Sequence, residues 1–208
     1  MRAYIFTYSL LFLTGFCVNL SAQTRWYVDA DADGAATGLS WEDAFTDLQQ
    51  ALSVSTHGDE IWLAEGIYKP TDTEDETISF ELPSGVKLYG GFAGTETELA
   101  QRDWETHLSI LSGDIGIPDY MPDNSQTVVF VENADSATLV DGVVIRDGYA
   151  DGGYYTWAVR GGGMYCAPSD SLMPFDITIR HTRFENNWAD QRGGALVFIP
   201  QVLYVRMT

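Results

Sequence analysis

Three arginines and one aspartate are the residues of this sequence whose types and placement best suit acid–base chemistry. Arg146, Arg180 and Arg183 lie in or directly after short β-branched runs, and Asp147 follows the first of them. A basic side chain can abstract a proton while nearby acids hold a cation or a substrate. Alternating polar residues are also typical of the solvated face of any exposed strand, and the sequence favours this second interpretation. The nearby acids that could hold a cation are Asp141, Asp147 and Asp176.

An acidic segment offers the only pattern that suggests a metal. Asp29, Asp31 and Asp33 alternate and are followed by Gly34, an arrangement that can direct oxygen ligands towards Ca²⁺. The twelfth position counted from Asp29 is Ser40 rather than the bidentate glutamate of a calcium loop. We therefore expect an acidic turn, with Ca²⁺ as the alternative. The sequence requires no cofactor.

Four aromatic residues are the candidates for binding a sugar ring. Tyr154, Tyr155 and Trp157 form one aromatic insertion, and Trp188 lies in a later segment. Packing over the end of a coil is the favoured alternative for all four. The histidines lie in separate segments without metal-ligand spacing, and neither a nucleophile elbow nor a phosphate-binding glycine loop is found.

A repeated motif indicates the elements that position these residues. Phe184 is followed by Asn187 and then by Gly193 and Gly194, and a less regular copy runs through residues 145–150 and 161–165. We expect Phe184 to point into a core. Asparagine tolerates left-handed backbone and its amide can bond adjacent turns, so the motif predicts the corner of a repeating coil.

Short β runs, broken by glycine, fill most of the chain. Several of them start roughly 20 to 25 residues apart, which is the period of a solenoid coil. Val143 and Ile145 are expected on one face with Val144 and Arg146 on the other. The pattern predicts a parallel β-helix, with a β-sandwich as the second choice. The predicted strands cover 25–28, 60–68, 85–92, 108–114, 127–131, 139–145, 163–166, 175–179 and 195–199.

One amphipathic helix is predicted before these strands. Ser40 is a candidate N-cap, apolar residues recur at helical spacing from Trp41 to Leu52, and Gly58 is a plausible end. We expect this helix to cover the open end of the strand stack, since uncovered strand edges promote aggregation.

The first 22 residues are typical of a secretory signal peptide. Arg2 precedes an apolar stretch, and Ser21-Ala22 supply small residues before a cleavage site. The chain is therefore expected to be exported, to the extracellular space or the cell outer membrane or surface, with no transmembrane helix in its mature form. Cys166 would then be its single cysteine, and we expect a buried, unreactive thiol rather than a disulfide.

Composition sets the remaining limits. With 30 acidic and 11 basic residues among 208, the chain has a formal net charge of −19, which disfavours nucleic acid as a partner. We divide the chain into a signal peptide (1–22), an N-terminal strand with a capping helix (23–58) and β-helix coils (59–208). The abrupt end at residues 199–208 predicts an N-terminal fragment of a longer protein.

The motifs resemble a known class of exported protein. Phe184-Glu185-Asn186-Asn187 with Gly193-Gly194-Ala195-Leu196 resembles the repeats of polymorphic outer membrane proteins. Tyr27-Val28-Asp29-Ala30 and Gly66-Ile67-Tyr68 are similar to the opening of large pectate-lyase-like bacterial proteins. The resemblance implies an all-β, right-handed parallel β-helix, and it is weak for activity because such folds serve many functions.

Two functions from different classes follow. The first is a non-catalytic, adhesin-like or structural module that presents its flank to a polysaccharide or a cell-surface protein. The second is a carbohydrate-active enzyme, either a pectate-lyase-like polysaccharide lyase or a glycoside hydrolase. The resemblance implies that a lyase would use arginine as the base and Ca²⁺ against an acidic sugar, and the sequence favours the non-catalytic module.

Overall fold

The structure is a computed structural model that describes residues 23–152, 161–170, 174–199 and 203–207, the last of these by backbone alone. The predicted signal peptide at 1–22 lies outside the described residues. The same is true of three aromatic candidates, Tyr154, Tyr155 and Trp157.

Short strands dominate the described chain because its β-branched and aromatic runs are repeatedly interrupted by glycine and polar corners. The strands are β1 Arg25–Val28, β2 Glu60–Ala64, β3 Gly66–Tyr68, β4 Phe80–Glu81, β5 Lys87–Phe92, β6 Ser109–Ser112, β7 Val129–Glu132, β8 Leu139–Asp141, β9 Val143–Arg146, β10 Tyr149–Ala150, β11 Met164–Ala167, β12 Phe175–Arg180, β13 Arg183–Glu185, β14 Trp188–Ala189, β15 Leu196–Phe198 and β16 Leu203–Met207.

Each predicted strand region contains an observed strand, but two of the predicted strands are divided in the structure. The runs predicted as single strands at 60–68 and 139–145 each form two strands in different sheets. Gly66 (φ 150°) and Gly142 (φ 80°) turn the chain at these points, in conformations that residues with a Cβ rarely adopt.

The strands form parallel sheets. Sheet A has the order β1-β2-β5-β8-β12-β16, sheet B β3-β6-β9-β13, sheet C β4-β7-β11-β15 and sheet D β10-β14. From β2 onwards the described chain passes through sheets A, B and C in rotation, and sheet D lies between B and C in the later passages. Each passage therefore pairs with the passage before it. The fold is β-rich with parallel sheets.

A single main core receives side chains from all three large sheets. It includes Ile61 from sheet A, Leu111 from sheet B and Val129 from sheet C, all at most 1% exposed. In β12, Ile177 and Ile179 are buried while Thr178 and Arg180 are not, as the alternation predicts.

The alternation prediction also holds for β9, where Val143 and Ile145 belong to the main core and Val144 does not. Val144 is nevertheless buried. A cleft lined by both valines is also lined by Trp104 and Glu105. A loop over this sheet therefore shields the second face as well.

The helix is shorter and later than predicted. Helix α1 spans Leu48–Val54, and its N-cap is Asp47, whose carboxylate accepts a hydrogen bond from Gln49 N at 2.9 Å. Ser40 Oγ accepts from Asp43 N at 3.1 Å, but this bond stabilises a turn instead of a helix. Two short 3-10 turns, Leu99–Gln101 and Met121–Asp123, complete the helical elements that the structure describes.

The apolar residues at 41–47 have a different use from the one that their spacing suggested. Phe45 forms a parallel bridge with Val28 and its N–H donates to Tyr27 O at 2.9 Å. Trp41 packs edge-on against Tyr27, with ring centroids 4.7 Å apart. Apolar residues recur at helical spacing in this segment because they contact two different apolar clusters. The segment is a loop that pairs with β1 through Phe45.

The second of these clusters lies on the outer face of sheet A. Trp62 and Phe92 stack at 4.5 Å and are completely buried, although the alternate residue Ile61 points into the main core. Trp41 covers them and donates from Nε1 to Glu96 O at 2.8 Å. The outer aromatic cluster consists of Tyr27, Trp41, Trp62, Tyr89, Phe92, Leu99 and Leu139.

In the part of the chain that the structure describes, no helix combines the length and apolarity needed to cross a bilayer.

Candidate functional site

An aspartate and a histidine from neighbouring passages meet at one end of sheet A. Asp141 ends β8 and pairs in register with Arg180 at the end of β12. The next residue, His181, therefore lies beside the Asp141 side chain, and its Nδ1 is 2.8 Å from Asp141 Oδ1. Because a carboxylate can only accept, Nδ1 carries the proton and donates it.

Arg102 supplies the second partner of this carboxylate from the loop that follows the 3-10 turn Leu99–Gln101. Its Nη2 lies 2.8 Å from Asp141 Oδ2, and the two side chains are 7% and 5% exposed. Nη1 donates to the main-chain oxygens of Gly90 at 3.1 Å and of Asp141 at 3.2 Å. A buried carboxylate is costly unless it is paired, and here both oxygens are compensated.

Aromatic rings surround these charges. The Arg102 guanidinium lies 4.8 Å from the Trp104 ring centroid and 5.2 Å from that of Tyr89. Trp104 also stacks on the His181 ring, with centroids 4.1 Å apart and planes inclined by 24°. Burial, followed by the negative charges of Glu60 and Asp141, raises the pKa of Tyr89, so this phenol stays neutral at physiological pH. We call Arg102, Trp104, Asp141 and His181 the flank cluster.

The backbone at His181 is left-handed. Its φ is 45°, and the residue at the same register in the preceding passage is Gly142, with φ 80°. Glycine adopts this region without a steric penalty, whereas a side chain there costs on the order of 1–2 kcal/mol. The hydrogen bond to Asp141 and the stacking on Trp104 hold the histidine in this conformation.

Two clefts open beside His181, which lines both of them. We name them the Trp104 cleft and the Lys87 cleft after one lining residue of each. The Trp104 cleft has a volume of about 500 Å³. The Lys87 cleft has a volume of about 370 Å³. The Trp104 cleft is lined by Trp104, Glu105, Val143, Val144, His181, Thr182 and Arg183. The Lys87 cleft is lined by Lys87, Tyr89, Leu99, Arg102, Ser136, Ala137, Thr138, Leu139, Asp141, Thr178, Arg180 and His181.

Two of the three arginines singled out by sequence lie at these clefts. Arg180 lines the Lys87 cleft and Arg183 lines the Trp104 cleft. Arg183 Nε is also 3.3 Å from Glu185 Oε1, in an ion pair whose side chains are about half exposed. The structure thus places Arg180 and Arg183 on either side of His181.

Arg146 and Asp147 belong to a different corner. Arg146 Nε lies 3.0 Å from Asp147 Oδ2, within ion-pair distance but without hydrogen-bond geometry. Asp147 also accepts from Ser112 Oγ at 3.1 Å and from Asn186 Nδ2 at 3.0 Å. These contacts join three successive passages, so the pair stabilises a corner and does not line either cleft.

The three aspartates of the acidic segment do not converge. Asp29 Oδ1 accepts from Asp31 N at 3.0 Å, which closes a local turn. Among the described residues, which include Asp29, Asp31 and Asp33, no three His, Cys, Asp or Glu side chains are grouped closely enough to hold a metal. The bond between Asp31 N and Asp29 Oδ1 is what the structure shows of the acidic turn.

Trp188 is the aromatic candidate that the structure describes. Its ring stacks on Tyr149 of the preceding passage, with centroids 4.6 Å apart, and it remains 39% exposed. It lies on sheet D, whereas the flank cluster lies at sheet A. The two features therefore belong to different surfaces.

The repeated motif has contacts that explain its residue types. Asn187 Oδ1 accepts from Gly148 N at 2.9 Å, and Nδ2 donates to Ile145 O at 2.8 Å. Gly193 has φ 57°, and a Cβ on Gly194 would lie 2.6 Å from Asn187 O. Phe184 is partly buried against the main core. Left-handed backbone occurs one residue earlier than expected, at Asn186 (φ 56°).

Sequence reasoning missed the central pair of the site. In the sequence, Asp141 is only one of several nearby acids, and His181 lies in a different segment from the other histidines. The offset that aligns Ile145 with Phe184 also aligns Asp141 with Arg180, so the repeat itself carried a signal. Arg102 and Trp104 lie in an irregular loop, where no repeat predicts their position.

No family model, no curated protein and no solved structure matches the chain.

Proposed function

We propose that this chain is an exported, right-handed parallel β-helix module with helix α1 as its N-terminal cap, and that its flank around His181 binds a glycan. The role is adhesin-like or structural, at the cell surface or outside the cell. The observation that carries the binding proposal is the pair of clefts on either side of His181.

The order of the sheets supports the β-helical part. A chain that passes through three parallel sheets in rotation buries its inward residues in one core, as a stack of coils does. Helix α1 packs against β1 and β4, which are the first strands of sheets A and C. A helix in that place covers strand edges that would otherwise pair with another chain.

Export is supported by features of the sequence. The opening residues have the charge and apolar pattern of a signal peptide, and a net charge of −19 suits a solvated surface. The resemblance to repeats of exported surface proteins, carried by Phe184, Asn187, Gly193 and Gly194, supports the same location.

The chemistry of the clefts supports a glycan that carries carboxylate groups. Lys87 and Arg180 line one cleft and Arg183 the other, although basic residues are scarce in this acidic chain. Arginine binds carboxylates through two parallel hydrogen bonds, and an aromatic ring such as Trp104 contacts the apolar face of a sugar. The Asp141 charge is already compensated by Arg102.

Calorimetric titration with oligosaccharides tests this function. Uronate oligomers should bind the wild type, neutral oligomers of the same length should bind more weakly, and Arg180→Ala and Arg183→Ala should each lower affinity about tenfold. Arg192→Ala is the matched control, because Arg192 is exposed and lines neither cleft. The glycan proposal fails if the wild type binds no oligomer, or if the control weakens binding as much as Arg180→Ala.

Circular dichroism tests the fold separately. The proposed module should give a strand-dominated spectrum with a small helical contribution from α1. A spectrum dominated by helix would contradict the β-helix regardless of what the flank binds.

A further inference from the structure

We propose that His181 is a catalytic base and that the flank hydrolyses an ester group carried by a bound glycan. This inference rests on the proposed function, because the same clefts must first hold the glycan. Its ingredients are a histidine fixed by a buried carboxylate, a strained backbone at that histidine, and clefts on both sides of the ring.

The imidazole of His181 is held in one direction. Nδ1 donates to Asp141 Oδ1, and Asp141 is fixed in turn by Arg102. Trp104 stacks on the ring and limits its rotation. Nε2 has no hydrogen-bond partner among the described residues, and the side chain is 39% exposed at the clefts. A proton on Nδ1 leaves the Nε2 lone pair free to accept one.

The other two histidines also pair with carboxylates, and the exposure of those carboxylates can be compared with that of Asp141. His57 lies 2.7 Å from Asp135 and His107 lies 3.0 Å from Glu65, so each histidine has a carboxylate partner. Those carboxylates are 46% and 55% exposed, whereas that of Asp141 is 5% exposed. Only at His181 is the orienting acid buried, which holds the imidazole in one direction.

The backbone of His181 is strained. The preceding passage has Gly142 at this register, so glycine would satisfy the turn at no steric cost. A left-handed histidine is retained here despite the steric cost of a Cβ in this conformation. Strain of this kind is concentrated at functional sites, and here it directs an imidazole between two clefts.

The residues at the Trp104 cleft favour ester hydrolysis over glycoside hydrolysis. Glycoside hydrolysis requires two carboxylates across one bond, and the residues that line the Trp104 cleft include one carboxylate, Glu105. The Thr182 hydroxyl donates to Arg180 O at 2.8 Å, so it is not free to act as a nucleophile. An oriented imidazole beside a guanidinium suits attack by water on an ester carbonyl.

Hydrolysis of the ester proceeds through a tetrahedral oxyanion. The oxygen of water forms a bond to the acyl carbon while His181 Nε2 takes its proton. The Arg183 guanidinium stabilises the resulting oxyanion, and Asp141 compensates the imidazolium. When the oxyanion collapses, the bond from the acyl carbon to the sugar oxygen breaks, and Nε2–H returns the proton to that oxygen. The products are a carboxylic acid and a free hydroxyl group.

Ester turnover by the intact chain tests the proposal, with 4-nitrophenyl acetate and acetylated xylan as probes. We expect His181→Gln to lower kcat/KM by about 100-fold or more, the usual contribution of a general base. His57→Gln is the matched control and should leave turnover unchanged. Equal turnover by the wild type and His181→Gln would overturn the assignment.

Two further variants separate catalysis from folding. His181→Gly restores the residue type that Gly142 provides one passage earlier, so it should fold, lose turnover and regain part of it when imidazole is added. Asp141→Asn should lower kcat and change the pH profile with little change in KM, because the Asp141 side chain is only 5% exposed and acts through the ring that it positions. Failure of imidazole to restore any turnover to His181→Gly, beyond its effect on the wild type, would count against a catalytic base.

Binding measurements distinguish the two proposals. If the wild type binds uronate oligomers but hydrolyses neither ester probe, the catalytic inference is wrong and the binding function stands. If it neither binds nor hydrolyses, both proposals are wrong. Binding retained by His181→Gln together with lost turnover is the result that we expect.

Discussion

The outer face of sheet A is used in two different ways along one row of residues. Parallel register aligns Tyr27, Trp62, Tyr89, Asp141 and Arg180 across five strands. The first part of the row is packed into the outer aromatic cluster beneath loops, and the last part is polar and faces the clefts. Each passage adds one residue to the row, and the covering loops decide whether that residue becomes core or site.

Arg102 lies at the boundary between the two regions. Its guanidinium contacts the ring of Tyr89 on one side and the carboxylate of Asp141 on the other. The transition from aromatic packing to ion pairing therefore occurs between two adjacent strands, β5 and β8. Substitutions on each side of this boundary can test how independent the regions are.

The largest effect is expected inside the outer aromatic cluster. Trp62→Ala should lower the free energy of unfolding by about 3–5 kcal/mol, because Trp62 is fully buried against Phe92 and Trp41. Urea unfolding measures this change. Ile67→Ala is the control, since Ile67 is 53% exposed and should change stability by about 0.5 kcal/mol or less. Equal effects of the two substitutions would show that the cluster is not a second core.

The next effect is expected at the boundary. Arg102→Met should cost about 3 kcal/mol, because it leaves Asp141 Oδ2 buried without its cation. The double variant Arg102→Met with Asp141→Leu should recover a large part of this loss, since it removes the buried charge. A double-mutant cycle from urea unfolding gives the coupling. Additive losses would mean that the ion pair contributes nothing at this boundary.

A smaller effect is expected at Gly142 and His181, the two left-handed residues that occupy the same register in successive passages. Gly142→Ala should cost about 2 kcal/mol, because the backbone is left-handed and a Cβ would lie 2.7 Å from Arg102 Nη1. His181→Gly should change stability by about 1 kcal/mol or less, since relief of strain offsets the lost ring contacts. Thermal unfolding of the two variants checks this difference. The strain argument fails if His181→Gly is as destabilised as Gly142→Ala.

The smallest effect concerns pH dependence at the start of sheet A. Burial raises the pKa of Asp59, but hydrogen bonds from the Thr24 and Thr56 main-chain N–H groups, from Trp26 Nε1 and from the Thr56 hydroxyl outweigh this effect and lower the pKa overall. A lowered pKa stabilises the fold above the pKa of the unfolded state, about 3.9, and the contribution is lost as pH falls through the folded value.

Asp59→Asn should therefore cost about 1 kcal/mol at pH 7. The difference between the variant and the wild type should shrink as pH falls below about 4. Urea unfolding across this pH range measures the effect. A difference that is independent of pH would show that the carboxylate charge plays no part.

Strand positions were predictable from sequence because β-branched and aromatic runs between glycines have few alternatives. Residues 25–28 form a strand as predicted, and 175–179 are extended by one residue to Arg180. The helix was misplaced because residues 41–47 contact two clusters at once, which imitates helical periodicity. Periodicity reports where apolar side chains occur, and it does not report how many surfaces they face.

The candidate site was only half predictable. Arg180 and Arg183 were recognised as residues that could do chemistry, and both line the clefts. Asp141 and His181 were not paired, because a contact across parallel strands depends on register and not on local spacing. Arg102 and Trp104 reach the site from a loop, and loop conformation depends on what the loop packs against.

The sequence alone determined that the chain is β-rich, where most strands lie, which corners need glycine, and that its charge is strongly negative. These properties follow from local conformational preferences and composition, which each segment carries by itself. Only the tertiary structure decided that one row on sheet A is aromatic core at Trp62 and a polar site at Asp141 and Arg180, with His181 beside it. That difference depends on register between distant strands and on the loops that cover them, and neither is encoded within a single segment.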